Sequence, residues 1–198
     1  MNAELRFYFG TMGSMKSATV LMVNHSLRVD KKLSVYLLKS AIDTRGGTNI
    51  IESRNGNSTE ADAIIDKDAN IMEVLQGLGF SNGNKPHIIL IDECQFLTAS
   101  QIETIREIVS LYDVPIYCYG LSTDANTHLF EGSKRLFELA DLRLEFETFC
   151  ECGGKATINA RVDQFGNVIK PETQIDIGGD EKYKPMCHKC WVLRGGKF

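Results

Sequence analysis

The sequence predicts an α/β fold: a mostly parallel sheet flanked by helices, with a small metal-stapled appendage at its end. Three observations carry the prediction. Up to about Phe149, short β-rich runs alternate with helical ones, as crossover connections between parallel strands require. A glycine-containing loop ending in Lys16-Ser17 separates the first strand from the first helix. Four of the six cysteines fall into two close pairs, Cys150-x-Cys152 and Cys187-x-x-Cys190. A chain of 198 residues has room for one core domain and a small addition, since single domains run to about 100–200 residues.

Taken in order, Leu5-Arg6-Phe7-Tyr8-Phe9 reads as the first strand, stopped at Gly10. Residues 17–27 follow as a helix with Val20, Leu21 and Val23 at apolar positions. Residues 34–38 form a second strand and 49–52 a β-ribbon. Residues 68–78 are helical, with Ile71, Val74, Leu75 and Leu78 on one face. Residues 87–91 make an unbroken apolar strand, as expected in a sheet covered on both faces. Ser100 caps the next helix with Glu103 at the capping-box position, and Ile102, Ile105, Ile108 and Val109 form its stripe. A buried strand at 115–119, a helix at 133–140 and a strand at 142–146 complete the run. Beyond Phe149, short β-type pieces at 156–162, 167–169 and 174–177 sit among glycines, a stretch too small to hold a core without a staple. The expected division is residues 1–149 and 150–198.

Composition narrows the function classes. Charged residues at 24% and hydrophobic ones at 43% exclude a disordered chain. Lys+Arg 22 against Asp+Glu 26 gives a net charge of −4, which disfavours a general nucleic-acid or anionic-membrane binder. No apolar run reaches the ~18–20 residues of a membrane span. The start Met1-Asn2-Ala3-Glu4-Leu5-Arg6 lacks the apolar region of a signal peptide. A soluble, cytoplasmic protein is expected, in a compartment where reduced thiols can hold a metal.

Gly10-Thr11-Met12-Gly13-Ser14-Met15-Lys16-Ser17 lies where a phosphate loop belongs, between strand and helix. Backbone N–H groups and the helix N-terminus would cradle the phosphates, Lys16 would neutralise them, and the Ser17 hydroxyl would bind Mg²⁺. Gly10, Lys16 and Ser17 match G-x-x-x-x-G-K-[ST], but Met15 replaces the second glycine. If that position needs a positive φ, Met15 costs roughly 1–3 kcal/mol and its side chain must find room. Gly13, two positions earlier, offers another place to take up the turn. Downstream, Ile88-Ile89-Leu90-Ile91 ends in Asp92-Glu93. Acids at the C-terminal edge of a parallel strand can reach a metal–nucleotide complex at the first strand's loop. Asp92 suits a water-mediated Mg²⁺ contact, and Glu93 an attacking hydroxyl or water.

The cysteine pairs supply four soft ligands with no open position, the donor set of a structural Zn²⁺. His188 competes as a ligand, but Cys190 keeps the familiar two-residue spacing. Cys94 and Cys118 belong with buried strands and are expected in the core rather than at a metal. Between the pairs, Gly178-Gly179 with Tyr183 a few residues on makes a loop able to close over a small planar ligand.

Together these segments identify a resemblance. Tyr8-Phe9-Gly10-Thr11-Met12, Ala41-Ile42-Asp43-Thr44-Arg45, Ile91-Asp92-Glu93-Cys94-Gln95-Phe96-Leu97, Cys118-Tyr119-Gly120-Leu121, Leu129-Phe130-Glu131-Gly132-Ser133-Lys134, the Cys-x-Cys and Ile177-Gly178-Gly179 with Tyr183 occur in the order found in type II thymidine kinases. The resemblance spans about Arg6 to Trp191. It implies a RecA-like P-loop domain with a zinc-ribbon lasso, and ATP-dependent phosphorylation of the 5′-hydroxyl of thymidine or deoxyuridine. Glu93 then resembles the general base. Residues Gly10, Thr11, Met12, Gly13, Ser14, Met15, Lys16, Ser17, Asp92 and Gln95 correspond to the ATP site, with Ser17, Asp92 and Asp43 around Mg²⁺. Met12, Phe96, Leu121, Phe130 and Tyr183 correspond to the nucleoside pocket, and Gln174, Ile175, Asp176, Ile177 and Gly178 to lasso residues reading the base. A homotetramer is implied too.

Three positions depart from the family: Met15, Ala125 where an aromatic is usual, and Asn159 where Thr is frequent near the base. They leave a competing reading, a non-catalytic thymidine-nucleotide sensor with Met15 as the lesion. A zinc-ribbon DNA-dependent ATPase is a further alternative, opposed by the acidic balance and the lack of a basic-aromatic stripe.

Overall fold

The longest apolar runs of the sequence become the middle of a six-stranded sheet. The computed structural model describes residues 3–44, 46–171 and 182–197. Strands β1 (Leu5–Phe9), β2 (Val35–Ser40), β5 (Ala63–Ile65), β6 (Ile88–Asp92), β7 (Ile116–Gly120) and β8 (Leu142–Glu145) lie in the order β5-β2-β6-β7-β1-β8. Each neighbouring pair is parallel. All the strand ends that carry chemistry therefore share one edge. β3 (Ile50–Glu52) and β4 (Ser58–Glu60) form a separate antiparallel ribbon, as the sequence led one to expect at 49–52.

Both faces of the sheet are covered. β6 divides its side chains between them: Ile89 and Ile91 enter one core cluster, Ile88 and Leu90 the other. The first cluster receives Ile71 and Leu75 of α2 (Ile71–Gly77), the Ile102, Ile105, Ile108 and Val109 stripe of α3 (Ala99–Tyr112), and Leu136 of α4 (Glu131–Leu139). The second receives Val20 and Leu21 of α1 (Lys16–His25), whose end widens into a π-type turn over Ser26–Asp30. Val23, Val74 and Leu78 are only partly buried. Cys94 and Cys118 are fully buried in the first cluster, and burial pushes the Cys94 thiol up, away from ligand behaviour.

The start of α3 differs from the sequence expectation. Thr98, not Ser100, is the cap: its Oγ1 accepts from Gln101 N at 3.2 Å while Gln101 Oε1 accepts from Thr98 N at 3.0 Å. Thr98/Gln101 and Ser100/Glu103 share the same spacing. Burial decides between them, because Gln101 Nε2 also donates to the carbonyls of Asp66, Lys67 and Ala69.

After Phe149 a third, smaller cluster forms. β9 (Ile158–Arg161) pairs antiparallel with β10 (Tyr183–Met186), and α5 (His188–Leu193) follows. Cys150, Ala156, Ile158, Ala160, Val162, Met186 and Trp191 make its core. Residues 167–169 contribute a bridge between Val162 and Val168 rather than a strand. The expected strand at 174–177 lies outside the described residues. Among the described residues no helix is long and apolar enough to cross a membrane.

Candidate active site and metal centre

β1 ends at Gly10, which must lack a side chain: a Cβ there would fall 2.4 Å from the Phe146 carbonyl oxygen. The loop then turns through Gly13 and Met15, both left-handed at φ 79° and 60°. Met15 is the N-cap of α1 and makes no side-chain cap, and the positive end of the helix faces the loop. Its side chain is 75% exposed, so it is not packed into the loop, although the residue borders the cavity. The expected strain is therefore present, and the expected steric conflict is not.

Lys16 is folded back over the loop. Its Nζ donates to Gly10 O at 3.2 Å, Thr11 O at 2.8 Å and Ser14 Oγ at 3.1 Å, acceptors that hold a buried ammonium where an anion belongs. Asp92 stands at the end of β6 and is fully buried. Burial and the adjacent Glu93 charge push its carboxyl up to about 7, while the Ser17 hydroxyl and Lys16 pull it down. Ser17 and Asp92 thus meet, as the motif spacing predicted. Asp43 lines the cavity with Ser17 and pairs at 3.2 Å with Lys39, which is fully buried and sits beside Asp92 in register.

Glu93 has φ 54°, an outlying conformation for a residue with a side chain. The turn leaves its carboxyl on the cavity, where Gln95 Nε2 donates to Glu93 Oε2. Gln95 Oε1 in turn accepts from Leu121 N at 3.0 Å, and Leu121 O accepts from Ser133 Oγ at 2.6 Å. Gly120 permits this, since a Cβ on it would meet Gln95 Oε1 at 2.5 Å. Gln95, read from the sequence as part of the ATP site, therefore contacts the catalytic candidate and the β7 loop.

Lys16, Ser17, Asp43, Glu93 and Gln95 line one cavity of about 420 Å³, within the usual range for a small-molecule site, while Asp92 is buried behind them and is not part of its lining. Met12, Gly13, Ser14, Met15, Lys16 and Ser17 line one end. Phe96, Leu121, Phe130 and Tyr183 give the other end its apolar wall, with the Phe96 and Phe130 rings edge-to-face at 5.8 Å. Ala125 and Asn159, the departing positions, line it too. Gln174, Ile175, Asp176, Ile177 and Gly178 lie outside the described residues. Sequence reading missed Arg54, carried by the turn between β3 and β4: its Nη1 comes within 3.1 Å of the point where a Cβ on Gly13 would stand. No local motif marks that residue, because the ribbon reaches the loop only through tertiary packing.

The four cysteine Sγ atoms lie within 4.8 Å of one another, with Cys152 and Cys187 at 3.6 Å. Tetrahedral zinc with bonds near 2.3 Å would set sulfurs about 3.8 Å apart. Cys190 N donates to Cys187 Sγ at 3.4 Å, and backbone N–H groups of Cys152 and Cys187 help draw the Cys150 thiol down to about 6 against its burial. The donor set fits a structural zinc ion. His188 is turned to Thr157 Oγ1 at 3.0 Å and stands outside the group.

A phosphate loop after β1, an acidic pair after β6 and a shared cavity with an apolar end define a P-loop phosphotransferase. The thymidine kinase family profile matches residues 3–191, and the chain belongs to that family. It is 37% identical over 196 residues to a thymidine kinase of Mannheimia succiniciproducens, covering 99% of this chain and 98% of the relative. With a thymidine kinase of Vibrio cholerae it shares 37% over 187 residues (94% and 95%). A thymidine kinase of Enterobacteria phage T4 is 38% identical over 190 residues (96% and 95%).

Proposed function

We propose that this chain is a nucleoside kinase that transfers the γ-phosphoryl group of ATP to the 5′-hydroxyl of thymidine or deoxyuridine, giving the 5′-monophosphate and ADP. The observation that carries the reading is the shared cavity: a phosphate-binding lysine and a carboxylate base line one space with an apolar slot. Lys16 and the N-terminus of α1 hold the phosphates. Ser17 and Asp92, with Asp43 beyond them, are the residues that would hold Mg²⁺, which when bound offsets phosphate charge. Glu93 takes the proton of the 5′-hydroxyl as the new O–P bond forms and the bond to the ADP oxygen breaks. Phe96, Leu121, Phe130 and Tyr183 sandwich the base, and residues 174–178 are assigned to its polar edge. Positioning and charge stabilisation then supply the catalysis.

In the same reading residues 150–198 form a lid body stapled by zinc at Cys150, Cys152, Cys187 and Cys190, joined to the 1–149 body, in a cytoplasmic protein. No observation favours the sensor alternative, since Met15 does not obstruct the loop. The test is a nucleoside-dependent phosphorylation assay with ATP, Mg²⁺ and thymidine. Glu93→Gln is expected to lower kcat about 10²–10⁴-fold with thymidine affinity nearly unchanged. Full turnover by that variant would remove Glu93 as the base, and no turnover by the unmodified zinc-loaded protein would refute the kinase reading.

A further inference from the structure

Asn159 belongs to β9, in the small body, yet it is 3% exposed and lines the cavity. Successive side chains of a strand point to opposite faces. Ile158 and Ala160 enter the small core with Cys150, so Asn159 faces the other way, toward the phosphate loop. Its Oδ1 accepts from the Met12 backbone N–H at 2.7 Å, and its Nδ2 donates to the Thr123 carbonyl at 3.2 Å. An N–H only donates and a carbonyl only accepts, so these partners fix the orientation of the amide. One side chain thus ties the phosphate loop to the loop after β7. Thr148, just ahead of Cys150, adds a longer contact from its Oγ1 to Gly13 O at 3.4 Å.

We propose that Asn159 is a positioning residue for ATP, holding the Met12 segment of the phosphate loop in its binding conformation and coupling metal loading of the cysteine centre to nucleotide affinity. The inference rests on the kinase reading for the identity of the loop's ligand. Without the Asn159 acceptor, the half-buried Met12 N–H loses its protein partner, and the loop is freer to relax. The place of β9 is set by the core that the metal staples, so releasing the metal releases Asn159 as well. Linkage is reciprocal: if metal loading tightens ATP binding, ATP must tighten metal binding by the same factor. Asn159 contributes no donor to the cysteine group, so its replacement removes the linkage while leaving the ligands in place.

Two equilibrium measurements test this. Mg-ATP affinity is measured by calorimetry on zinc-loaded and zinc-stripped protein, and zinc affinity by chelator competition with and without saturating Mg-ATP. Zinc removal is expected to raise the Kd for Mg-ATP about tenfold, and Mg-ATP to tighten zinc by the same factor. Zinc-loaded Asn159→Leu should keep its zinc, bind Mg-ATP about tenfold more weakly, and show no linkage. Unchanged ATP affinity in that variant overturns the proposal, as does weakened thymidine binding with ATP binding intact. Indifference of zinc affinity to Mg-ATP in the unmodified protein also overturns it, and that measurement stands even if the variant does not fold. Neither readout uses turnover. A failure to phosphorylate thymidine would therefore refute the kinase reading and leave the coupling standing.

Discussion

Met15 sits at φ 60° and ψ 19°, a left-handed conformation that costs a residue with a Cβ roughly 1–2 kcal/mol. Met15→Gly removes that strain but adds freedom to the unfolded chain. The net expectation is a gain of about 0.5–1 kcal/mol in thermal unfolding, with Mg-ATP affinity changed less than about threefold because the side chain points to solvent. A tenfold gain in affinity would mean that the side chain obstructs the site after all. The need for a positive φ was legible in the motif, because the glycine it replaces marks such a position. Where the side chain would go was not, since that depends on what packs around the loop. Gln95 shows the same limit: its place in the acidic motif is visible, but its bridge from Glu93 to Leu121 exists only once β6 and β7 lie side by side.

Elements are pinned by contacts that leave no periodic trace. Asp141, between α4 and β8, accepts from Leu5 N at 2.8 Å and from Arg106 Nη1 at 2.5 Å, joining the start of β1 to α3. Burial raises its carboxyl, but the Leu5 N–H, the Arg106 guanidinium and Arg143 outweigh it, and the net shift is downward. A lowered folded value means stability that is present above the ordinary carboxylate range near 4 and fades as pH falls through the folded value. Asp141→Asn should therefore cost about 0.5–1 kcal/mol near neutral pH, reduced by solvent screening. In urea titrations its difference from the unmodified protein should close in acid. A gap that persists at pH 2 would show a packing role instead. The strands and long helices around it were legible because their 2- and 3.6-residue periods are strong. The α3 cap was misplaced because two capping pairs of identical spacing overlap, and α5 was missed because its first turn is organised by Cys187 rather than by an apolar stripe.

Across the whole molecule, the parallel sheet and the cysteine centre were legible because chemistry fixes their spacing. Part of the joint between them was legible too, since Tyr183 and Asn159 were read as lying by the nucleoside and both line the cavity. The hydrogen bonds of Asn159 and Thr148 to the phosphate loop were not, because they join distant sequence positions. The joint gives the metal a role at the active site without touching substrate. Among the described residues the small core holds seven buried side chains, a small number to stand on apolar burial alone, whereas a structural zinc contributes on the order of 10–16 kcal/mol. Trp191 is the only tryptophan of the chain, 3% exposed in that core, and reports on it directly. Stripping the metal with a strong chelator should shift Trp191 emission to the red as water reaches the ring. Far-UV circular dichroism should change little, since the six-stranded sheet and α1 to α4 have their own clusters. Thymidine affinity should fall in step with the emission shift, because Tyr183 enters the cavity from β10. If Trp191 emission stays blue after the metal is gone, the small body holds itself by apolar contacts, and zinc is not what keeps the lid in place.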